Sequence, residues 1–155
     1  MDIHHAMIVR ASPEQVFHAL NHVEDLATWM AAPTTISPPG QAAAGSVIAL
    51  QYGPQRSLIV QVTAMEMERL VRWQISQAMW QRNQPELPQA ATWTLTPYES
   101  STLVDLRMDG WGEEEEAFAS VSYKWASFMM RLKIYLGDLR EILDMVDVIK
   151  QRQNQ

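Results

Sequence analysis

The segment from about Glu113 to Lys150 restricts the possible folds of this chain more than any other part. Its apolar residues recur at steps of three and four, which places them along one side of a 3.6-residue helix. They are Phe118, Val121, Trp125, Phe128, Met129, Leu132, Leu136, Leu139, Leu143 and Val146. Four glutamates, Glu113 to Glu116, fall in the first turn, where negative charge favours a helix. The pattern predicts a long amphipathic helix whose apolar face must pack against another part of the chain.

The chain between Val47 and Asp109 consists of short β-rich runs separated by turn residues, which is typical of antiparallel strands. We predict strands over Ser46–Tyr52, Arg56–Met67, Leu70–Ser76, Thr92–Pro97 and Thr102–Asp109. Proline, glycine and glutamine interrupt Ser37–Gly45 and Gln77–Gln89, so these two segments are predicted to be loops. The simplest partner for the helix is the concave face of the sheet that these strands form.

The first thirty residues predict one strand followed by two short helices. An alternating pattern turns four side chains of the strand inward, namely Ile3, His5, Met7 and Val9. Ser12, Pro13 and Gln15 supply a capping box and a first-turn proline, so a helix begins there and ends near Asn21. The second helix is predicted from about Glu24 to Met30.

Gly137 interrupts the predicted C-terminal helix. Glycine costs about 1 kcal/mol relative to alanine inside a helix, so we expect a bend or an end at this residue. The apolar stripe continues beyond it, so the tail either folds back on the domain or packs against a second subunit. We expect residues 1–155 to form a single domain with a helical extension at 137–155.

Composition excludes several classes of function. The chain has 12 Lys and Arg against 18 Asp and Glu, a net charge of −6, so nucleic acid and anionic membranes are poor partners. The absence of cysteine excludes disulfides, thiolate metal sites and a cysteine nucleophile. No window has the roughly 20 apolar residues of a membrane-spanning helix, and the N-terminus lacks a secretory signal. We therefore expect a cytoplasmic protein.

Several motifs resemble one protein superfamily. Residues 9–17, Val-Arg-Ala-Ser-Pro-Glu-Gln-Val-Phe, followed by Leu26 and Trp29, are similar to the opening of START-like (SRPBCC) proteins. Other segments resemble the branch named after the activator of the heat-shock protein 90 ATPase, namely Leu70–Trp73, Thr102–Met108, Gly110–Gly112 and Tyr123–Trp125 with Phe128 and Leu132. The resemblance implies an α+β helix-grip fold of order β-α-α-β-β-β-β-β-β-α. In that fold a curved antiparallel sheet wraps around the long C-terminal helix.

The resemblance also implies a cavity between the sheet and the C-terminal helix. The residues placed to line it are His5, Met7, Trp29, Trp73, Trp93, Met108, Phe118, Trp125, Met129 and Leu132. Tryptophan and methionine suit both promiscuous binding and ordinary gap filling. Simple core packing therefore explains the same pattern, and the cavity depends mainly on the fold.

The histidines are the candidate metal ligands and proton-transfer groups of this sequence. His18 and His22 are four residues apart, but Asn21 lies between them as a helix cap and no second ligand cluster accompanies them. We predict no metal and no cofactor. His5 is predicted to face inward, where it would be placed to bind a ligand or act as a general base. The chain has no phosphate-binding loop, dinucleotide fingerprint or nucleophile elbow, so no catalytic residue is assigned.

Three functions remain open at this point. The first, which we favour, is a cytoplasmic domain that binds a hydrophobic small molecule, apolar or aromatic, in the cavity. The second is an enzyme resembling START-like polyketide cyclases or dehydratases, with His5, Tyr52 and Tyr123 as proton-transfer candidates. The third is a protein-interaction module of the activator type, which forms a homodimer through the C-terminal helix beyond Gly137.

Overall fold

A computed structural model of the chain describes residues 2–30, 35–37, 40–52, 57–78, 89–109, 115–138 and 148–153. Its elements are β1 (Ile3–Val9), α1 (Pro13–Asn21), α2 (Val23–Trp29), β2 (Thr35–Ser37), β3 (Val47–Gln51), β4 (Ser57–Glu66), β5 (Leu70–Ala78), β6 (Gln89–Tyr98), β7 (Ser101–Asp109) and α3 (Glu115–Lys133). A π-helical turn, Ile134–Asp138, follows α3, and residues 148–153 are again helical. The α+β class and the predicted order of elements are confirmed.

Seven strands form one antiparallel sheet in the order β1-β7-β6-β5-β4-β3-β2. From β2 to β7, each strand pairs with its neighbour in sequence. The first strand is the exception, because β1 pairs with β7 from Ile3↔Met108 to Val9↔Thr102. The chain then crosses through α1 and α2 to the opposite edge of the sheet. Register shifts in the β4–β5 ladder, near Val60 and Val62, mark bulges that bend the sheet.

One face of the sheet and one side of α3 form the core. Apart from Ala90, the buried residues on β5, β6 and β7 occur at every second position, as a strand requires, and those on α3 follow helical spacing. The central members are Val71, Trp73, Ile75, Ala91, Trp93, Leu95, Val104, Leu106, Met108, Val121, Trp125, Phe128, Met129 and Leu132. The predicted packing of the C-terminal helix on the sheet is therefore confirmed.

The two short helices close one end of this core. The Ser12 hydroxyl accepts the Gln15 N–H at 3.2 Å and the Gln15 side chain accepts the Ser12 N–H at 2.9 Å, so the predicted capping box is present. The second helix begins at Val23, one residue earlier than predicted. His22 between the helices has extended backbone, and the Val23 N–H donates to the Gly40 carbonyl at 2.9 Å.

The two predicted loops, Ser37–Gly45 and Gln77–Gln89, include residues that belong to strands. Ser37, assigned to the first loop, pairs with Ala49 as the last residue of β2. Gln77 pairs with Ile59, and Gln89 pairs with Ile75, so both ends of the second loop belong to strands. The physical reason is that strand pairing uses backbone groups, and a glutamine side chain that disfavours burial does not prevent it. Residues 53–56, which include the start of the strand predicted over Arg56–Met67, lie outside the described residues.

Within the described residues, the helix predicted over Glu113–Lys150 is not α-helical throughout. Its α-helical part ends at Lys133, and the π-helical turn that follows contains Gly137, where a bend or an end was expected. Residues 139–147 are outside the described part of the chain, so the 137–155 extension remains a prediction apart from the helical residues 148–153. None of the described helices is long and apolar enough to cross a lipid bilayer.

Candidate functional site

Four tryptophan rings meet at the centre of the core. Trp93 contacts Trp29, Trp73 and Trp125 with ring centroids 6.1, 5.5 and 6.5 Å apart, and Trp73 lies 6.4 Å from Trp125. The Phe128 ring packs edge-on against Trp125 at 5.5 Å. These edge-to-face contacts join α2, two sheet strands and α3, so the rings fix how the helices sit on the sheet.

The polar atoms of these rings differ in their surroundings. The Trp29 indole N–H donates to the Ala19 carbonyl at 2.9 Å, which ties α2 to α1. The indole nitrogens of Trp73 and Trp93 are buried, and neither has a hydrogen-bond acceptor within the described part of the chain. A buried donor without an acceptor costs roughly 1–3 kcal/mol. The centre of the core therefore holds two directional donors that a bound acceptor would satisfy.

Two further polar side chains flank the core. His5 faces α3, and its Nε2 lies 3.1 Å from the Ser122 carbonyl oxygen and 3.2 Å from the Ser122 hydroxyl. The Tyr52 hydroxyl donates to the Met30 carbonyl at 2.6 Å. Burial raises the pKa of Tyr52 to about 12, although the positive charge of Arg131 opposes that shift. Both side chains therefore already hold one element of the domain against another.

The structure brings most of the predicted cavity residues together. Met108, Met129 and Leu132 are buried in the same core as the tryptophans, and Met7 is partly buried against it. The Phe118 side chain lies outside the described residues. Tyr123, a candidate for proton transfer, is 72% exposed because it lies on the solvent side of α3, so the structure does not bring it together with the core residues.

A second candidate site lies at the surface where α1, α2 and the π-helical turn meet. An open cleft of about 570 Å³ is lined there by Ser12, Glu14, Gln15, His18, Ala19, Asp25, Tyr135 and Leu136. Asp25 is central, because its carboxylate lies 2.9 Å from His18 Nε2 and accepts the Tyr135 hydroxyl at 2.6 Å. The sequence did not identify Asp25 as a partner of His18, because that contact depends on how α1 and α2 turn about His22.

The antiparallel sheet, with β1 paired to β7 at one edge and α3 packed across one face, defines a START-like helix-grip domain. Within that superfamily the chain belongs to the family described as "Activator of Hsp90 ATPase homolog 1-like protein", whose sequence model matches residues 10–137. No curated protein matches the chain.

Solved structures show the same fold. The Aha1 dimer from Colwellia psychrerythraea is similar with a TM-score of 0.74 and 28% identity, over 88% of this chain and 96% of that chain. A protein of Mesorhizobium loti matches with a TM-score of 0.72 and 19% identity, over 88% and 96%. CalU16 from Micromonospora echinospora matches with a TM-score of 0.66 and 17% identity, over 86% and 73%. The last two likenesses concern the fold alone.

Proposed function

We propose that this domain binds an apolar or aromatic small molecule between the sheet and α3, and that the molecule carries a hydrogen-bond acceptor. The observation that carries the proposal is the pair of buried indole N–H groups of Trp73 and Trp93, which have no acceptor within the described residues. A core that only packs is destabilised by such donors, whereas a ligand oxygen between them removes the cost.

The side chains that surround these donors in the core are suited to an aromatic ligand. Aromatic rings and the flexible thioethers of Met108 and Met129 occupy the same core, and thioethers adapt to different shapes. Each Å² of apolar ligand surface removed from water contributes about 25 cal/mol to the affinity. Desolvation would therefore supply most of the binding free energy, and the two N–H groups would fix the ligand's orientation.

A ligand screen tests this proposal. Native mass spectrometry and thermal-shift assays would be run with lipids, flavonoids and polyketide-like aromatic compounds. Fluorenone and fluorene form a matched pair, because they share a ring framework and differ by the carbonyl oxygen. We expect the ketone to bind about fivefold more tightly, since one hydrogen bond is worth about 1 kcal/mol. Absence of any specific ligand, or equal binding of the pair, would contradict the proposal.

Two tryptophan variants locate the site. Trp93→Phe removes an N–H with no acceptor among the described residues and keeps an aromatic ring, so we expect ligand affinity to fall about fivefold. The smaller ring also leaves a gap in the core, which should lower the free energy of unfolding by about 1–2 kcal/mol. Trp29→Phe is the matched control, because its N–H is already bound to the Ala19 carbonyl. That variant leaves a similar gap and also loses its hydrogen bond, so it should lower the free energy of unfolding by about 1 kcal/mol more than Trp93→Phe and leave ligand affinity nearly unchanged. Equal effects on affinity would place the ligand elsewhere.

We also propose that the chain forms a homodimer through α3 and the helical region that follows it. An apolar stripe on the solvent side of α3 supports this, since Tyr123, Met130 and Ile134 are exposed at spacings of seven and four. Exposed apolar groups aligned on one helix face are typical of an interface. The similar structure from Colwellia psychrerythraea, 28% identical, is described as a dimer.

Light scattering after gel filtration tests the dimer. We expect the wild-type mass to be twice that of the chain, and Met130→Asp combined with Ile134→Asp to halve it. Met67→Asp is the control, because Met67 is the most exposed large apolar residue of the described part of the chain, at 81%, but lies in the β4–β5 turn. A wild-type monomer, or an unchanged mass in the double variant, would refute the proposed interface.

A further inference from the structure

We propose that His18, His22 and Asp25 form a binding site for a divalent transition-metal ion of the zinc type. The three residues span the junction of α1 and α2, and their ligand atoms all lie within 4.8 Å of one another. The site is separate from the tryptophan core and lies beside the surface cleft of α1, α2 and the π-helical turn. Imidazole nitrogens with one carboxylate oxygen are a ligand set that Zn²⁺ accepts.

The distances are close to those that a metal needs. Asp25 Oδ2 lies 2.9 Å from His18 Nε2 and 3.2 Å from His22 Nδ1. Bonds of about 2.1 Å in a tetrahedral site place ligand atoms roughly 3.4 Å apart. The two distances from Asp25 Oδ2 to the histidine nitrogens therefore need only small changes, and the third distance is that between the ligating nitrogens of His18 and His22. The His18 side chain is 57% exposed, so it can rotate to adjust the third.

One nitrogen of the cluster lacks a proper partner. His22 Nδ1 is buried and makes no hydrogen bond within the described residues. It nevertheless faces two carboxylates, with Asp25 Oδ2 at 3.2 Å and Glu24 Oε2 at 3.4 Å. Hydrogen bonding alone does not account for this arrangement. A cation bound to His22 Nδ1 and Asp25 Oδ2 gives this nitrogen a partner, with the Glu24 carboxylate as a further negative charge nearby.

Neighbouring groups already hold the carboxylates in place. The Tyr135 hydroxyl donates to Asp25 Oδ1 at 2.6 Å, which leaves Oδ2 directed at the imidazoles. The Gly40 N–H donates to both oxygens of Glu24, at 3.0 and 3.1 Å. The His18 and His22 rings stack with centroids 4.8 Å apart, which orients both nitrogens toward Asp25. Hydrogen bonds to ligating carboxylates are a regular feature of metal sites.

Three protein ligands leave one tetrahedral position for another group. Structural zinc sites are usually closed by four protein ligands, whereas sites with three keep a position for water or substrate. The cleft of about 570 Å³ beside Asp25 and His18 gives that position access to solvent. The site therefore suits an exchangeable ion that carries a water molecule or an anionic ligand, rather than an ion needed for folding.

Calorimetric titration of the untagged, chelator-treated protein with ZnCl₂ tests the site. We expect one Zn²⁺ per chain, with affinity at least tenfold weaker in His18→Ala and in Asp25→Asn. His4→Ala is the matched control. His4 also pairs with a carboxylate, since its Nε2 lies 2.6 Å from Asp105 Oδ2, but it lies on β1 and outside the proposed site. Its affinity should stay within about twofold of wild type. Zn²⁺ should also raise the melting temperature of the wild type and of His4→Ala.

Two results would overturn the site. The first is no Zn²⁺ binding by the wild type at millimolar concentration. The second is equal binding by the wild type and His18→Ala. Because His18 is exposed, its replacement leaves the fold intact, so this comparison decides the question even if Asp25→Asn unfolds the junction. These measurements use no apolar ligand, so their outcome is independent of the function proposed for the core.

Discussion

Two tyrosine hydroxyls show how single polar atoms hold the helices of this domain. Tyr52 donates to the Met30 carbonyl at the end of α2, and Tyr135 donates to Asp25 from the π-helical turn. The pKa of each is raised from 10.0 to about 12, chiefly because burial penalises the charged form. For Tyr135 the hydrogen bond and the negative charge of Asp25 add to this shift. Both hydroxyls therefore remain donors at neutral pH.

The raised pKa values predict a loss of stability in base. A group whose pKa is higher in the folded protein stabilises the fold below its unfolded value, here about 10, and loses this effect as pH rises through the folded value. We expect the free energy of unfolding to fall between pH 10 and about 12. Urea denaturation across that range measures it. Tyr52→Phe and Tyr135→Phe should each flatten the slope, and unchanged slopes in both variants would contradict the assignment.

At the residue scale, the sequence predicted which side of its element a residue faces better than it predicted which atom that residue contacts. Alternation placed His5 inward, and the structure places it against Ser122. The acceptor of the Trp29 N–H, the Ala19 carbonyl, depends on how α1 and α2 turn about His22, which no local pattern specifies. Asp25 was missed as a partner of His18 for the same reason. Periodicity indicates which face a residue lies on, but the atom it meets is set by packing between elements.

At the scale of elements, the presence of each helix and strand was predicted well, but the residues at which they begin and end were predicted less well. The capping box at Ser12 fixed the start of α1, because the chemistry of that cap is local. Strand ends at Ala78 and Gln89 were missed, because backbone pairing with a neighbouring strand extends them beyond their β-forming residues. The π-helical turn at Ile134–Asp138 was anticipated only as an irregularity near Gly137.

Two glycines are expected to respond in opposite ways to alanine. A Cβ added to Gly137 would lie 3.8 Å from the Arg10 Cβ, an ordinary contact, and alanine is the better helix former. Gly137→Ala should raise the free energy of unfolding by about 0.5–1 kcal/mol. Gly45 has a φ of +93°, a backbone conformation that alanine adopts only with strain. Gly45→Ala should therefore lower the free energy of unfolding by about 1 kcal/mol. Urea denaturation of both variants measures the pair, and a loss of stability in Gly137→Ala would contradict the expected tolerance.

At the scale of the whole molecule, contacts distant in sequence make the domain one unit. The N-terminal strand β1 pairs with β7 about a hundred residues later, from Ile3↔Met108 onward. The helix α3 then packs its apolar side on the same sheet, through Trp125 against Trp73 and Trp93. The amphipathic pattern of α3 predicted that the helix required a partner, and the β-rich runs between Val47 and Asp109 indicated that this partner is the sheet. The sheet order itself required the structure, since periodicity does not state which strand pairs with β1.

This arrangement predicts that shortening one side chain of α3 destabilises helix and sheet together. Trp125 is fully buried among the other tryptophans, so Trp125→Ala leaves a cavity and should cost about 3–5 kcal/mol. That is a large share of the 5–15 kcal/mol typical of a domain. Lys124→Ala, at the adjacent exposed position, should change stability by less than about 0.5 kcal/mol. Urea denaturation followed by circular dichroism and tryptophan fluorescence should give one coincident transition in each variant. Equal losses in the two variants, or separate transitions for the two signals, would contradict a single core shared by α3 and the sheet.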